Sequence, residues 1–345
     1  LWCGSDDGLV HVSRDAGKSW DNVTPKWPEW MQVNSIEPHP FEKGGLYVSG
    51  TRYKSDDFEP YLYVTTNWGK SWMRIDSGIP RDHFTRVVRA DPDRVGLLYA
   101  GTERGVYASF DDGETWQPLQ QNLPVVPVTD LAVKSQDLVA ATQGRGFWIL
   151  DDVTPLHTLN DDVAKSSLHL FTPRRGFRLS SGGGGGVTFS YLLDEEAAEA
   201  GLKMELWNGD QKIRTYKSGL AAKAGLNRWT WNLQYEGAES FPGMINWSGT
   251  GASPRAVPGT YEARLKAGED EVKVPFVVRA APRGSATQQD LEAQLAFMLR
   301  VRDKLTETHR EIKRVRGVRD QITDITKKIS DRDDVAHVVD AGKAL

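Results

Sequence analysis

Three copies of one eight-residue phrase constrain the first half of this chain more than any other feature. SRDAGKSW at 13–20 and SFDDGETW at 109–116 share a hydroxyl, an acid, a glycine, a second hydroxyl and a tryptophan at fixed spacing. TTNWGKSW at 65–72 keeps the frame with Asn67 in the acidic slot. The shared positions are Ser13, Asp15, Gly17 and Trp20, then Thr65, Asn67, Gly69 and Trp72, then Ser109, Asp111, Gly113 and Trp116. A phrase that recurs with its apolar flanks announces a repeat architecture, in which each unit buries its faces on its neighbours.

Aligned on the octet, the unit is about 45 residues long and reads as four short strands. In the first full copy they fall at 33–38, 46–50, 62–65 and 72–75, and in the next at 85–88, 97–101, 106–109 and 116–119. A third copy runs 128–133, 138–142 and 146–150, where the octet gives way to Asp151, Asp152 and Pro155. Residues 1–20 match the second half of an earlier unit. Four strands in a unit of this length are the arithmetic of a β-propeller blade, and a ring needs about four to eight blades. About three and a half are legible, so upstream blades of the same chain are expected to complete the ring.

The octet has a structural reading. Its acid and hydroxyls can bond the backbone of the turn between the third and fourth strands. Its glycine suits a positive φ, and its tryptophan is expected to enter the fourth strand as a core residue. The pattern resembles the Asp-box, or BNR, repeat of sialidases, propeller glycosidases and sortilin-type receptors, over residues 1–155. In those families the box is a hairpin on the face away from the ligand site. The resemblance therefore implies that function sits at the opposite mouth.

That mouth is ringed by the loops between second and third strands and by the links between units, where binding groups concentrate on rigid scaffolds. The longest loop, 51–61, holds Arg52, Tyr53, Asp56, Asp57, Glu59 and Tyr61. Its shorter counterparts hold Glu103 and Arg104, and then Arg145. The links carry Trp27, Glu29 and Trp30, then Arg81, Asp82 and His83. Aromatics beside carboxylates and arginines suit a sugar ring, stacked on one face and bonded at its edge. The alternative is that the aromatics anchor the long loop and the charges are solvated. Glycoside hydrolysis needs two carboxylates about 5–10 Å apart, and Asp56, Asp57 and Glu59 are the foremost catalytic candidates. The early arginine motif of sialidases is missing, since Ile79-Pro80-Arg81 differs from it in order and position.

Several classes are set aside. The net charge is −4 and the repeat region shows no clustered basic face, which argues against nucleic acid. Phosphate-loop and nucleophile-elbow motifs are missing. The 7 histidines are scattered without metal-ligand spacing, so neither metal nor cofactor is expected. Cys3 is the single cysteine, so no intrachain disulfide can form. No apolar run approaches the roughly 18 residues of a membrane span. The chain lacks an initiator Met and closes inside a helical pattern, which reads as a piece of a longer protein.

Residues 161–186 read as a linker that ends in the glycine run 182–186. Strand signals return at 187–192, 202–207, 211–216, 225–233, 259–265 and 271–278, with Asn208-Gly209 as a hairpin turn and a polar insertion at 237–256. Trp229, Trp231 and Leu233 share one face. Six or so strands suggest an Ig-like sandwich over 187–280. Their order resembles the Ig-like module of flagellar hook-assembly proteins, which implies a spacer or docking role. Beyond a second short linker, apolar residues at 291, 295, 298, 301, 305 and 312 predict a helical hairpin over 287–345, with Asp290 as its cap.

The fold expected is thus mainly β: propeller blades over 1–160, then the sandwich, then helices. The resemblance implies a secreted or periplasmic, carbohydrate-associated protein of glycosyl hydrolase-like type with a ligand site at the propeller mouth. The alternative is a non-catalytic, sortilin-like scaffold that grips a peptide or glycan.

Overall fold

The computed structural model describes residues 1–179, 185–244, 253–329 and 336–343. Packing divides the chain into Leu1–Leu159 and Asn160–Leu345. Most of the glycine run and part of the 237–256 insertion lie outside the described residues.

The first unit is four antiparallel sheets, each a meander in chain order. The first holds β1 (Trp2–Gly4), β2 (Val10–Val12) and β3 (Asp21–Asn22). The second holds β4 (Gln32–Pro38), β5 (Leu46–Arg52), β6 (Asp57–Thr65) and β7 (Met73–Arg74). The third holds β8 (Thr85–Ala90), β9 (Leu98–Thr102), β10 (Val106–Ser109) and β11 (Gln117–Pro118). The fourth holds β12 (Val128–Lys134), β13 (Asp137–Thr142) and β14 (Gly146–Leu150), and the short helix α1 (Thr154–Thr158) follows.

Inner strands of these sheets are apolar on both faces because each face meets a different neighbour. Val88, Ala100 and Tyr107 join Tyr47 and Leu62 in the core between the second and third sheets. Their sequence neighbours Val87, Tyr99 and Val106 turn the other way and join Leu131, Leu138 and Ala140. On the fourth sheet Phe147 is 80% and Ile149 59% exposed, so the outward face of β14 is bare among the described residues.

The octets form three matching turns. In the first, Gly17 N donates to Ser13 Oγ at 2.7 Å and Ser19 N to Asp15 Oδ1 at 2.9 Å. In the third, Gly113 N donates to Ser109 Oγ at 2.8 Å and Thr115 N to Asp111 Oδ1 at 2.9 Å. Asn67 serves the same frame, taking Ser71 N at 3.0 Å while Gly69 N donates to Thr65 Oγ1 at 3.0 Å. Two successive positive φ angles are required, not one: Ala16, Trp68 and Asp112 precede the glycines at 61°, 64° and 62°. The octet tryptophans precede the outer strand rather than entering it. Trp116 is 3% exposed and donates to Ile75 O at 2.5 Å in the preceding sheet, and Trp72 donates to Val23 O at 2.6 Å. Trp20 is 44% exposed and so is no core residue among the described residues.

The second unit opens with α2 (Asp161–Ala164), β15 (Leu168–Leu170) and β16 (Gly176–Arg178). This corrects the linker expected at 161–186. Leu168 and Leu170 are 6% and 3% exposed, and β15 pairs with β17 (Val187–Leu193) while β16 runs parallel to the last strand of the unit. The chain continues through α3 (Glu195–Glu199), β18 (Leu202–Asn208), β19 (Gln211–Tyr216), β20 (Gly225–Trp231), β21 (Gly259–Ala267) and β22 (Asp270–Ala280). Two sheets result, β15-β17-β20 and β16-β22-β21-β18-β19. They enclose one core, in which Phe189, Tyr191 and Trp231 meet Met204, Tyr261 and Phe276. Trp231 is fully buried, as core packing of the tryptophan-rich strand requires.

Helix α4 (Gln288–Lys328) is capped by Thr287, not Asp290. Asp290 is the third helical residue and bonds back to Thr287 N at 2.9 Å, closing a capping box. Helix α5 (Ala336–Lys343) returns to α4, with Gly342 against Ile322 and Thr326.

Candidate functional site

The end of the first unit away from the octets carries two patches. The first grows from the β5–β6 loop. After Arg52 the chain makes a 3-10 turn at Tyr53–Ser55, and Asp56 closes it in the left-handed region at φ 59° with its side chain in solvent. Asp57 then sits opposite Arg52 across the hairpin, 2.7 Å from its guanidinium. Tyr61 OH donates to the same carboxylate at 2.8 Å, and the Glu59 amide at 3.1 Å. Burial pushes the Asp57 carboxyl up, but those three donors outweigh it and hold it below the usual carboxylate range. Burial and the Asp57 charge push the Tyr61 hydroxyl up to about 12.

Glu59 is also engaged, with Arg81 at 2.8 Å and Arg74 at 3.0 Å. Arg74 pairs with Asp76 at 2.5 Å, donates to Pro60 O at 2.9 Å, and lies over the Tyr61 ring. Around this knot Tyr53 stacks on Phe84 with ring centres 5.1 Å apart, and Arg86 lies against both rings. Arg86 holds Glu103 at 2.6 Å, Arg104 holds Asp82 at 3.1 Å, and His83 Nδ1 meets Tyr107 OH at 2.7 Å. Arg145 is exposed on the fourth sheet and offers only its carbonyl, to Trp148 Nε1. The long loop is therefore anchored by its aromatics, and two of its three acids, Asp57 and Glu59, are paired with arginines while Asp56 stands in solvent.

The second patch lies between the β1–β2 turn and the β3–β4 link. It is a groove of about 370 Å³ whose walls include Asp7, Leu9, Trp27, Glu29, Trp30 and Met31. Gly8 lets the two segments touch: at φ 93° its missing Cβ would stand 2.7 Å from Met31 O. Trp27 donates to Gly8 O at 3.2 Å and meets the edge of Tyr63, so it is fixed as part of the wall. Met31 is fully buried and belongs to the same cluster as Tyr61 and Tyr63, which joins the groove floor to the charged patch. Trp30 differs from all of these. It is 74% exposed and sits at φ 59°, a conformation costly for a bulky residue.

Trp27, Glu29 and Trp30 thus come together, and so do Arg52, Asp57, Glu59, Tyr61 and Arg81, in a separate patch. Sequence reasoning overlooks Asp7, Arg74, Asp76, Phe84 and Arg86. Asp7 is foreshadowed by Asp6-Asp7-Gly8, the turn equivalent in the first sheet to the long 51–61 loop.

A third cluster, Asp91, Asp93 and His157, has the spacing of cation ligands. Asp91 is fully buried and filled by protein donors: the amides of Asp93 and Arg94 on one oxygen, Tyr99 OH and His157 Nε2 on the other. It fastens α1 to the third sheet.

Residues 8–145 match the family model described as "Sortilin, neurotensin receptor 3", which covers less than half of the chain. These residues form β-propeller sheets similar to the sortilin type. Among solved structures, YCF48 bound to D1 peptide aligns over 63% of this chain and 64% of its own, at 17% identity and TM-score 0.35. The GH74 enzyme of Niastella koreensis aligns over 81% of this chain and 51% of its own, at 12% identity and TM-score 0.36. The GH74 xyloglucanase of Xanthomonas campestris aligns over 79% and 46%, at 15% identity and TM-score 0.36. The chain spans between about half and two thirds of the length of these proteins. Likeness at this level carries no chemistry across. No curated protein matches the chain in sequence.

Proposed function

We propose that this chain is a non-catalytic binding scaffold whose propeller mouth takes a peptide or glycan, with the Trp27–Trp30 groove as the ligand site. The observation that carries this reading is the contrast in availability. Asp57 and Glu59 are both committed to arginines, whereas Trp30 stands open at a backbone cost that packing does not explain. A general acid must hold a proton near the working pH, and Asp57, held below the usual carboxylate range, does not. An extracellular or periplasmic setting and an Ig-like docking role for the second unit complete the reading, with the propeller over 1–160, the sandwich over 187–280 and the helices over 287–345 as its domains. The test is a panel of polysaccharides and peptides, assayed for turnover and, by tryptophan fluorescence, for binding. Binding without turnover, lost in Trp30→Ala, is expected. Hydrolysis abolished by Asp57→Asn would restore the glycosidase reading of Asp56, Asp57 and Glu59.

A further inference from the structure

Resting on that ligand site, we propose that the groove recognises the cationic side chain of an arginine- or lysine-bearing peptide segment. The argument is a count of donors and acceptors along the wall. Of its side chains, only Thr24, Trp27 and Trp30 can donate a hydrogen bond. Thr24 already donates to Asn22 at 2.6 Å, and Trp27 to Gly8 O. Only the Trp30 indole NH remains. Acceptors are in excess: the Glu29 carboxylate has no ion-pair partner among the described residues, and the Asp7 carboxylate takes only the Ser5 hydroxyl. No lysine or arginine lines the groove.

A ligand that satisfies such a wall must bring donors and positive charge. A sugar hydroxyl both gives and takes, and it would find almost nothing to accept from. A phosphate or carboxylate would face two uncompensated acids. A guanidinium or ammonium fits both deficits, and its flat or compact head can lie on an indole face, where cations are attracted by the ring quadrupole. Trp30 is the exposed indole beside those acids, and Pro25 and Pro28 keep the link stiff around it. The charged patch nearby has the opposite character, because Asp57, Glu59 and Asp76 are already matched by arginines of the chain itself.

The experiment is calorimetric titration of the chain with a capped peptide of alternating arginine and glycine, its glutamine-for-arginine counterpart, and a neutral cello-oligosaccharide. The arginine peptide is expected to bind, the glutamine peptide and the oligosaccharide not. Losing one charge-assisted bond should weaken binding about tenfold in Glu29→Gln and in Asp7→Asn, with affinity falling as salt rises. The pair Glu195→Gln and Glu196→Gln, exposed acids of α3, is the control for diffuse attraction and should leave binding unchanged. An equal loss in that control would overturn the proposal. Oligosaccharide binding lost in Trp30→Ala, with no response to the arginine peptide, would overturn the cation while leaving the mouth site standing. No binding by any probe would sink both.

Discussion

Two patches at one end of the propeller hold similar residues in opposite states. Around the β5–β6 loop, Asp57, Glu59 and Asp76 lie within 3 Å of arginine nitrogens, and Tyr53 is stacked on Phe84. In the neighbouring groove, Asp7 and Glu29 have no ion-pair partner among the described residues, and Trp30 is 74% exposed. The difference teaches that the number of acids and aromatics in a loop says little about what the loop offers a ligand. What matters is which of them the chain has already spent on itself, and the Arg74 side chain is the clearest case. It joins Glu59, Asp76 and Pro60 O in one hub, so two acids of this patch are matched inside the chain.

Removing that hub is the largest way to break the comparison. Arg74→Ala strands Asp76, whose side chain is 14% exposed and whose carboxyl burial already pushes up. We expect a loss of about 2 kcal/mol, below the full cost of a deeply buried pair because Arg81 still serves Glu59. Urea unfolding measures it. Binding at the groove should be unchanged, and a parallel loss of binding would show that the two patches act as one.

Trp30→Gly should act with the reverse sign. A glycine accepts φ 59° without strain, so stability should rise by about 1 kcal/mol while ligand binding is lost. A variant that loses stability instead would mean that the indole packs on something, and Trp30 would join Tyr53 as an anchor.

How much of this contrast the residues announce depends on its range in the chain. The blades are legible because they are local: Val87-Val88 and Leu97-Leu98-Tyr99 signal burial on both faces, and the octet signals its own turn. Asn67 shows the limit of pattern reading in a favourable direction, since it makes the amide-accepting bond of the acids it replaces. The larger sheet of the second unit gains β16 by pairing with β22, a partner about a hundred residues away that no local period reveals. The same applies to the site. Arg74 lies just beyond the octet and reads as a strand residue, yet it is the arginine that pairs with the half-buried Asp76 and ties it to Glu59. Asp7 meets the Trp30 link only because Gly8 lets the backbone reach Met31.

The smallest effect is the acid limb of the paired carboxylates. Asp57 titrates below its ordinary value of 3.8 in the folded chain, so it adds stability that is present above that value and lost as pH falls through the folded one. The octet acids act with the same sign: Asp111 is lowered, and Asp15 is lowered to about 2 by the bonds of Ser19 and Ser13. Stability should therefore decline between about pH 4 and pH 2, as thermal melts across that range would record. Asp57→Asn should be less stable at neutral pH by up to about 1 kcal/mol, because Arg52 and Asp57 are only about four-fifths buried, and should flatten the acid limb. Glu29→Gln should leave the neutral stability as it is. If it lost stability at neutral pH as Asp57→Asn does, its carboxylate would be engaged in the fold, and the groove would no longer be the patch that keeps its acids for a ligand.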